Sequence, residues 1–207
     1  MFSITTVILA AGKSTRFKTS SSKLVYPLCG LPIISHVYEI AKKISGKKII
    51  VVCNKDNIKE LKSILKDCIF VTQNKQKGTA DAIEQAKKQI KSKNVLVLFG
   101  DTPLITISSI RKLIKNYLAS KVKASLIAFR TNKPYGYGRL VIKNNALEEI
   151  VEEINLNNYK KKINLCNSGI LIAEKQILFE NTKNIKTNVI KKERYLPDIF
   201  KLFYNNK

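Results

Sequence analysis

Strand-like and helix-like segments alternate up to residue 130 of this sequence, and that alternation constrains the fold more than any other feature. The strand candidates are short runs rich in Val and Ile, and the helix candidates carry apolar residues three or four positions apart. We predict strands at residues 4–10, 48–53, 68–72, 95–99 and 124–129. We predict helices at residues 33–44, 58–65, 80–90 and 107–118. Strands that alternate with helices indicate βαβ units, so we expect a mostly parallel sheet with helices on both faces.

The pattern changes in the last third of the chain. Residues 138–142, 146–154 and 165–173 have the composition of strands, with no helix between them. Such a segment is typical of a small added β flap beside the main sheet. Residues 196–204 predict a final helix, and the 207 residues of the chain fit one domain.

The formal charge of +23 has two interpretations. A strong positive field suits a polyanionic partner such as a nucleic acid. The lysines, however, are spread along the whole chain among many Ile and Asn residues, as AT-rich coding would produce, and no helix-turn-helix or aromatic motif accompanies them. We therefore expect no nucleic-acid binding, although a polyanionic small substrate would benefit from the same charge.

The sequence predicts a cytoplasmic protein that does not partner a membrane. No apolar run reaches the roughly 18 to 20 residues that cross a bilayer. The first residues lack a basic segment and have the pattern of a strand rather than of a signal peptide. The four cysteines are scattered and form no C-x-x-C pair, which fits a reducing compartment.

The first predicted strand leads directly into the most informative motif, Leu9-Ala10-Ala11-Gly12-Lys13-Ser14-Thr15-Arg16-Phe17. Small residues at such a turn let backbone N–H groups approach a phosphate. Lys13, Arg16 and Lys23 add three positive groups, which suits a triphosphate. The motif is neither a G-x-G-x-x-G fingerprint nor a Walker A loop. The alternative is an ordinary strand-to-helix turn with surface lysines.

This string resembles the L-A-A-G-x-G/S-T-R-M/F signature of the nucleotidyltransferases that activate sugars and related alcohols. Five further segments match that family in the same order: 23–32 (KLVYPLCGLP), 73–80 (QNKQKGTA), 99–105 (FGDTPLI), 136–139 (GYGR) and 167–170 (NSGI). The last two, with Ile150-Val151-Glu152, make the sequence similar in particular to the N-acetylglucosamine-1-phosphate uridylyltransferases. The resemblance implies a Rossmann-like, three-layer α/β/α nucleotidyltransferase fold with a mixed, mostly parallel sheet and a small added β flap.

The resemblance also implies how a nucleotide would be held. The triphosphate would be wrapped by a loop that consists of Leu9, Ala10, Ala11, Gly12, Lys13 and Ser14. Its oxygens would be bound by two catalytic cations, Arg16 and Lys23. The uracil base and the rest of the nucleotide would be held by Gln73, Gln76, Gly78 and Thr79. For the two glutamines, the alternative is a plain surface position.

The remaining implied roles concern the metal and the sugar. The resemblance implies that Asp101 ligates Mg²⁺ and that Gly138, Glu152 and Asn167 hold the amino sugar. Asp101 has independent support, because it follows an apolar strand at the end where open α/β sheets keep their sites. Mg²⁺ also prefers few carboxylates together with phosphate oxygens. The alternatives are a helix-capping or turn aspartate for Asp101 and a turn residue for Asn167.

Other polar residues are predicted to be structural. His36 lies on the first predicted helix and carries no family role. The paired carboxylates at 148–149 and 152–153 favour solvated strand faces over acid–base pairs, with Glu152 the exception because it matches the family.

The implied activity transfers a uridylyl group from UTP to N-acetylglucosamine 1-phosphate, with Mg²⁺ as the cofactor. The sugar phosphate oxygen would attack the α-phosphorus in line and pyrophosphate would leave, so no nucleophile triad is needed. Two alternatives stay open. One is another nucleotidyltransferase of the superfamily, with a different nucleotide or acceptor. The other is a degenerate nucleotide-binding protein without turnover.

The match to the family breaks at several positions. Ser14 replaces a frequent glycine, Ser22 replaces the usual proline before the lysine, and Pro197 replaces a threonine. In the family, a second Mg²⁺ ligand lies beyond the segment that matches residues 195–204. We therefore expect residues 1–207 to form a single, C-terminally short nucleotidyltransferase domain without the family's β-helix acetyltransferase domain. Loss of an edge element would expose sheet or apolar surface, which favours a homo-oligomer.

Overall fold

The computed structural model describes residues 3–12, 22–189 and 191–205. Its strands are β1 (Ile4–Leu9), β2 (Pro27–Leu28), β3 (Leu31–Pro32), β4 (Ile49–Cys53), β5 (Ile69–Thr72), β6 (Asn94–Phe99), β7 (Ala124–Arg130), β8 (Arg139–Lys143), β9 (Ala146–Val151) and β10 (Leu165–Glu174). Its helices are α1 (Ile33–Ser45), α2 (Ile58–Ile64), α3 (Thr79–Ala86), α4 (Ile107–Ala119), α5 (Lys175–Thr182) and α6 (Ile199–Asn205). The predicted alternation of strands and helices up to residue 130 is confirmed.

The main sheet is parallel in its first half and mixed as a whole. In the described part of the chain, eight strands pair in the order β5-β4-β1-β6-β10-β8-β9, and β7 also pairs with β10. β1 runs parallel to β4 and β6, and β4 runs parallel to β5. β10 runs antiparallel to β6, β7 and β8. The predicted α/β class with a mixed sheet is therefore confirmed.

Helices cover both faces of the sheet because its central strands are buried on both sides. All six residues of β1 are buried, and their side chains alternate between the two faces. Val7 and Leu9 pack with residues of α3, α5 and α6. Ile4 and Ile8 pack with residues of α1, α2 and α4. This arrangement is the predicted three-layer α/β/α sandwich.

Strand β10 corrects one part of the prediction. The sequence pattern assigns residues 165–173 to an added β flap, but the structure places them in the main sheet, where Leu171, Ile172 and Ala173 pair with β6. β8 and β9 form an edge hairpin that joins β10 where Cys166 pairs with Arg139. Pairing between strands so distant in sequence leaves no local signal, so periodicity alone could not place β10.

Helix α5 is absent from the prediction. Its eight residues bury only Leu178, Phe179 and Thr182, so the apolar pattern is too short to show a helical period. By contrast, the structural role predicted for His36 is confirmed. Its Nε2 atom lies 2.9 Å from the Leu28 carbonyl oxygen, so it joins α1 to the β2–β3 hairpin.

The longest helices described, α1 and α4, have 13 residues each. Within the described ranges, no helix is both long enough and apolar enough to cross a membrane.

Candidate active site

A cleft of about 870 Å³ opens at the carboxyl ends of β1 and β6, the edge where open α/β sheets keep their sites. It is bordered by the first loop (residues 9–12), the glutamine loop (residues 73–79) and the wall segment (residues 191–196). Every described residue that was predicted to bind nucleotide or act in catalysis borders this cleft. The other predicted members of that set, Lys13, Ser14 and Arg16, lie outside the described residues.

Two buried asparagines after β4 hold the first loop in place. Asn57 Nδ2 donates to the Ala10 carbonyl at 2.8 Å, and Asn54 Nδ2 donates to the Ala11 carbonyl at 3.1 Å. The side-chain oxygen of each asparagine also accepts the backbone N–H of the other. These bonds fix the backbone of the loop that would meet a phosphate. Sequence reasoning missed both residues, although polar side chains directly after a buried strand were a usable signal.

We expect Asn57→Ala to lower the free energy of unfolding by roughly 2–6 kcal/mol. The substitution leaves the Ala10 carbonyl and the Asn54 N–H without partners in a buried setting, at about 1–3 kcal/mol each. Urea denaturation measures the loss. Asn158→Ala, at an exposed position, is the control and should change stability by less than about 0.5 kcal/mol. If both variants were equally stable, the asparagine pair would not support the loop.

Lys23 and Asp101 form an ion pair at the cleft. Lys23 Nζ lies 2.5 Å from Asp101 Oδ2, and the two side chains are 34% and 37% exposed. The helix-capping alternative for Asp101 is wrong, because α4 is capped by Thr106, whose Oγ1 accepts the Ser109 N–H at 3.2 Å. Asp101 does lie in a turn, in which the Thr102 N–H donates to the Phe99 carbonyl at 3.3 Å. Asp101 thus presents a carboxylate to the cleft beside a cation that could hold a phosphate.

The glutamine loop is closed by one of its own side chains. Gln73 is 3% exposed, and its amide nitrogen donates to the Gly78 carbonyl at 3.1 Å and to the Asp81 carboxylate at 2.7 Å. The surface-glutamine alternative is therefore wrong for Gln73. Thr79 Oγ1 accepts the Leu196 N–H at 2.9 Å, which ties the loop to the wall segment.

The three predicted sugar-binding residues lie together. The Asn167 N–H donates to the Gly138 carbonyl at 2.9 Å, and a Cβ added at Gly138 would lie 3.2 Å from Glu152 Oε1. Asn167 belongs to β10, and its Oδ1 accepts the Gly169 N–H at 2.9 Å beside a register shift, so the side chain does make the local bond of a turn residue. Glu152 borders a second cavity of about 530 Å³, and Tyr195 borders both this cavity and the main cleft. Tyr195 therefore connects the two cavities; the resemblance includes its segment but assigns Tyr195 no site role.

The second cavity holds carboxylates in contrasting environments. Burial raises the pKa of Glu149, but hydrogen bonds from Lys160 at 2.5 Å and Lys201 at 2.9 Å outweigh it and leave that pKa below its usual value. The prediction of a solvated strand face is therefore wrong for Glu149. Burial raises the pKa of Glu152, and the charge of Asp198 raises it further. Burial also raises the pKa of Asp198 to about 6; the charge of Lys201 opposes this shift and that of Glu149 adds to it.

The raised pKa of Asp198 predicts how stability depends on pH. The folded-state pKa of about 6 lies above the ordinary value of 3.8, so the folded state binds more protons between these values. The free energy of unfolding therefore falls as the pH rises through this window. Above the window, the ionised Asp198 carboxylate destabilises the folded state. We expect Asp198→Asn to raise the melting temperature near neutral pH by about 2–4 °C, equivalent to roughly 1 kcal/mol after allowance for solvent screening.

Thermal unfolding at about pH 4 and about pH 7.5 measures this effect. The rise in melting temperature should nearly vanish at about pH 4, because the Asp198 carboxyl of the folded wild type is mostly protonated at that pH. Asp56→Asn, at an exposed position, is the matched control and should change the melting temperature little at either pH. An equal gain for Asp198→Asn at both pH values would contradict the assignment to ionisation.

Asp101 fits Mg²⁺ as a ligand. Among residues 3–12, 22–189 and 191–205, no three His, Cys, Asp or Glu side chains gather as a metal-ligand group. Mg²⁺ in nucleotide enzymes takes one or two carboxylates and completes its shell with phosphate oxygens and water. One exposed carboxylate at the cleft is therefore an adequate protein contribution for Mg²⁺ that accompanies a triphosphate.

An α/β sheet with a cleft at the carboxyl ends of its parallel strands is an architecture that many nucleotide-binding enzymes share. The comparison with protein families then specifies the class. Residues 6–161 match the MobA-like NTP transferase domain. The chain belongs to this family of nucleotidyltransferases.

Curated relatives agree with this assignment. The bifunctional protein GlmU of Buchnera aphidicola (subsp. Schizaphis graminum) is 42% identical over 199 residues, which are 95% of this chain and 42% of the relative. The bifunctional protein GlmU of Staphylococcus epidermidis is 33% identical over the same share of this chain and 44% of its own length. The chain thus spans less than half the length of these relatives.

Solved structures agree on the fold. A putative glucose-1-phosphate thymidylyltransferase from Bacillus anthracis superposes with a TM-score of 0.84 at 20% identity, over 99% of this chain and 84% of that one. A UDP-glucose pyrophosphorylase complexed with UDP-glucose superposes with a TM-score of 0.74 at 19% identity, over 100% of this chain and 88% of that one.

Proposed function

We propose that this domain transfers a uridylyl group from UTP to N-acetylglucosamine 1-phosphate and releases pyrophosphate. The observation that carries the proposal is the main cleft, where the first loop, the glutamine loop and the Lys23–Asp101 pair meet. The GlmU relatives and the N-acetylglucosamine-1-phosphate uridylyltransferase motifs support the choice of substrates. The two structural neighbours bear the names of enzymes that join nucleotides to sugar phosphates, which supports the reaction type.

The proposed mechanism relies on positioning and charge. An oxygen of the sugar phosphate attacks the α-phosphorus of UTP, the new P–O bond forms, and the bond to pyrophosphate breaks. Lys23 and the first loop hold phosphate oxygens in line, and Asp101 would hold Mg²⁺, whose charge offsets that of the phosphates. Gly138, Glu152 and Asn167 orient the amino sugar. No group of the protein forms a covalent intermediate.

Pyrophosphate release by the purified protein with Mg²⁺ tests the proposal. UTP, CTP, GTP and dTTP are each combined with N-acetylglucosamine 1-phosphate, glucose 1-phosphate and other acceptors. Release confined to UTP with N-acetylglucosamine 1-phosphate is the expected result. Release with another pair would assign a different nucleotidyltransferase activity. UTP binding without release from any pair would indicate a nucleotide-binding protein that has lost turnover.

A further inference from the structure

Arg194 lies in the wall segment between two residues that border the main cleft, Glu193 and Tyr195. Successive side chains of an extended segment point to opposite sides. The Arg194 side chain accordingly packs away from the cleft, against α3 and the end of α5. It is thus placed to support the wall of the cleft rather than to touch a ligand.

The guanidinium of Arg194 joins three parts of the chain. Nη1 and Nη2 each donate to one carboxylate oxygen of Glu84 on α3, both at 3.2 Å. Nε donates to the Ile185 carbonyl at 3.2 Å, and Nη2 also donates to the Thr182 carbonyl at the end of α5. The Arg194 and Glu84 side chains are only 20% and 27% exposed, so the pair is more than a surface contact. A forked guanidinium can make these contacts at once, whereas a lysine ammonium cannot.

The backbone of Arg194 holds the glutamine loop. Its N–H donates to the Lys77 carbonyl at 2.8 Å, and its carbonyl accepts the Ala80 N–H at 3.0 Å. Gly78 gives α3 no side-chain cap, so the Arg194 carbonyl satisfies a donor that the first turn of the helix leaves open. The fit is tight, because a Cβ added at Gly78 would lie 2.4 Å from the Arg194 carbonyl oxygen. A shift of the wall segment would therefore move the loop that borders the cleft.

We infer that Arg194 is a positioning residue for nucleotide binding. Its side chain anchors the wall segment to α3 and α5, and its backbone then sets the position of residues 77–80. The inference rests on the proposed function and extends it, because it assigns control of the glutamine-loop side of the nucleotide site to a residue that does not contact the ligand. Loss of the anchor should weaken UTP binding more than it slows the chemical step or weakens sugar phosphate binding.

The test compares the wild type with Arg194→Met, Arg194→Lys, Glu84→Ala and the double variant Arg194→Met/Glu84→Ala. UTP binding is titrated directly, and initial rates give kcat and separate KM values for UTP and the sugar phosphate. We expect Arg194→Met to raise the Kd and KM for UTP about tenfold, the size of effect seen when a supporting partner of a binding group is removed. The kcat and the KM for the sugar phosphate should change by less than about threefold.

Two further variants separate positioning from general stability. Glu84→Ala should reproduce the effect on UTP, and the double variant should fall well short of the sum of the two single effects, because both remove the same contact. Arg194→Lys should lie between Arg194→Met and the wild type. Tyr117→Phe is the stability control, because Tyr117 donates to Asn94 Oδ1 in the core on the opposite face of the sheet. It should lower the melting temperature without altering the KM for UTP.

The outcomes are distinguishable from those that test the proposed function. An active wild type with an unchanged KM for UTP in Arg194→Met would overturn the inference and leave the function standing. A wild type that binds UTP without turnover, and loses that binding in Arg194→Met, would support the inference while the function fails. If Arg194→Met does not fold, Arg194→Lys and Glu84→Ala decide by the same readouts. A wild type that binds none of the four triphosphates would overturn both.

Discussion

The Asp101→Ala variant is expected to release pyrophosphate from UTP and N-acetylglucosamine 1-phosphate about 10²–10³ times more slowly than the wild type. Asp101 follows β6 at the cleft, and its carboxylate is the group proposed to hold Mg²⁺. Without this carboxylate the site would hold Mg²⁺ less tightly. The triphosphate would then lack part of the positive charge on which an in-line displacement depends. A coupled assay for pyrophosphate at saturating substrates measures the change in kcat.

The same substitution should have little effect on folding. The Lys23–Asp101 pair is about one third exposed on both sides, and exposed pairs contribute at most about 1 kcal/mol. Thermal unfolding should therefore separate the two effects. Glu39→Ala, which removes an exposed carboxylate from α1, is the control and should keep wild-type rates. Full activity in Asp101→Ala would rule out the assigned role, whereas equal losses in both variants would indicate a general effect of charge.

The Gly78→Ala variant is expected to lose roughly 3 kcal/mol of unfolding free energy, together with its affinity for UTP. Gly78 has a φ of 97°, which is strained for any residue with a Cβ. The added methyl would also lie 2.4 Å from the carbonyl oxygen and 2.7 Å from the amide nitrogen of Arg194. Both atoms belong to the backbone, so no side-chain rotation can relieve the clash. Chemical denaturation and UTP titration measure the two losses.

Gly46→Ala is the matched control for Gly78→Ala. Gly46 ends α1 with a φ of 58°, and a Cβ there would meet no atom within 4 Å. This variant should lose only the free energy of the strained backbone, roughly 1–2 kcal/mol, and should bind UTP normally. Equal losses in the two variants would show that the contact between Gly78 and Arg194 is not tight.

Much of the fold could be predicted from local sequence, and much of the candidate site from the resemblance of short motifs to a family. Strands β1, β4 and β6 are buried on both faces, so they appear as short continuous apolar runs that their length and their Val and Ile content identify as strands. Asp101 and the first loop directly follow predicted strands. Because parallel strands bring their carboxyl ends together, both were expected at the same edge of the sheet. The predicted sugar-binding residues, although far apart in sequence, also lie together in the structure.

The sequence by itself determined the α/β class, the alternation of the first strands and helices along the chain, and the motifs at the strand ends, because these depend on neighbouring residues and on the pattern of apolar side chains. Only the tertiary structure decided the place of β10 within the sheet, the support of the first loop by Asn54 and Asn57, and the anchoring of Arg194. Each of these depends on hydrogen bonds between distant parts of the chain, such as the 110 residues that separate Glu84 from Arg194. No local sequence pattern identifies the partner of a buried polar group, because the partner is distant in sequence and comes into contact only when the layers pack.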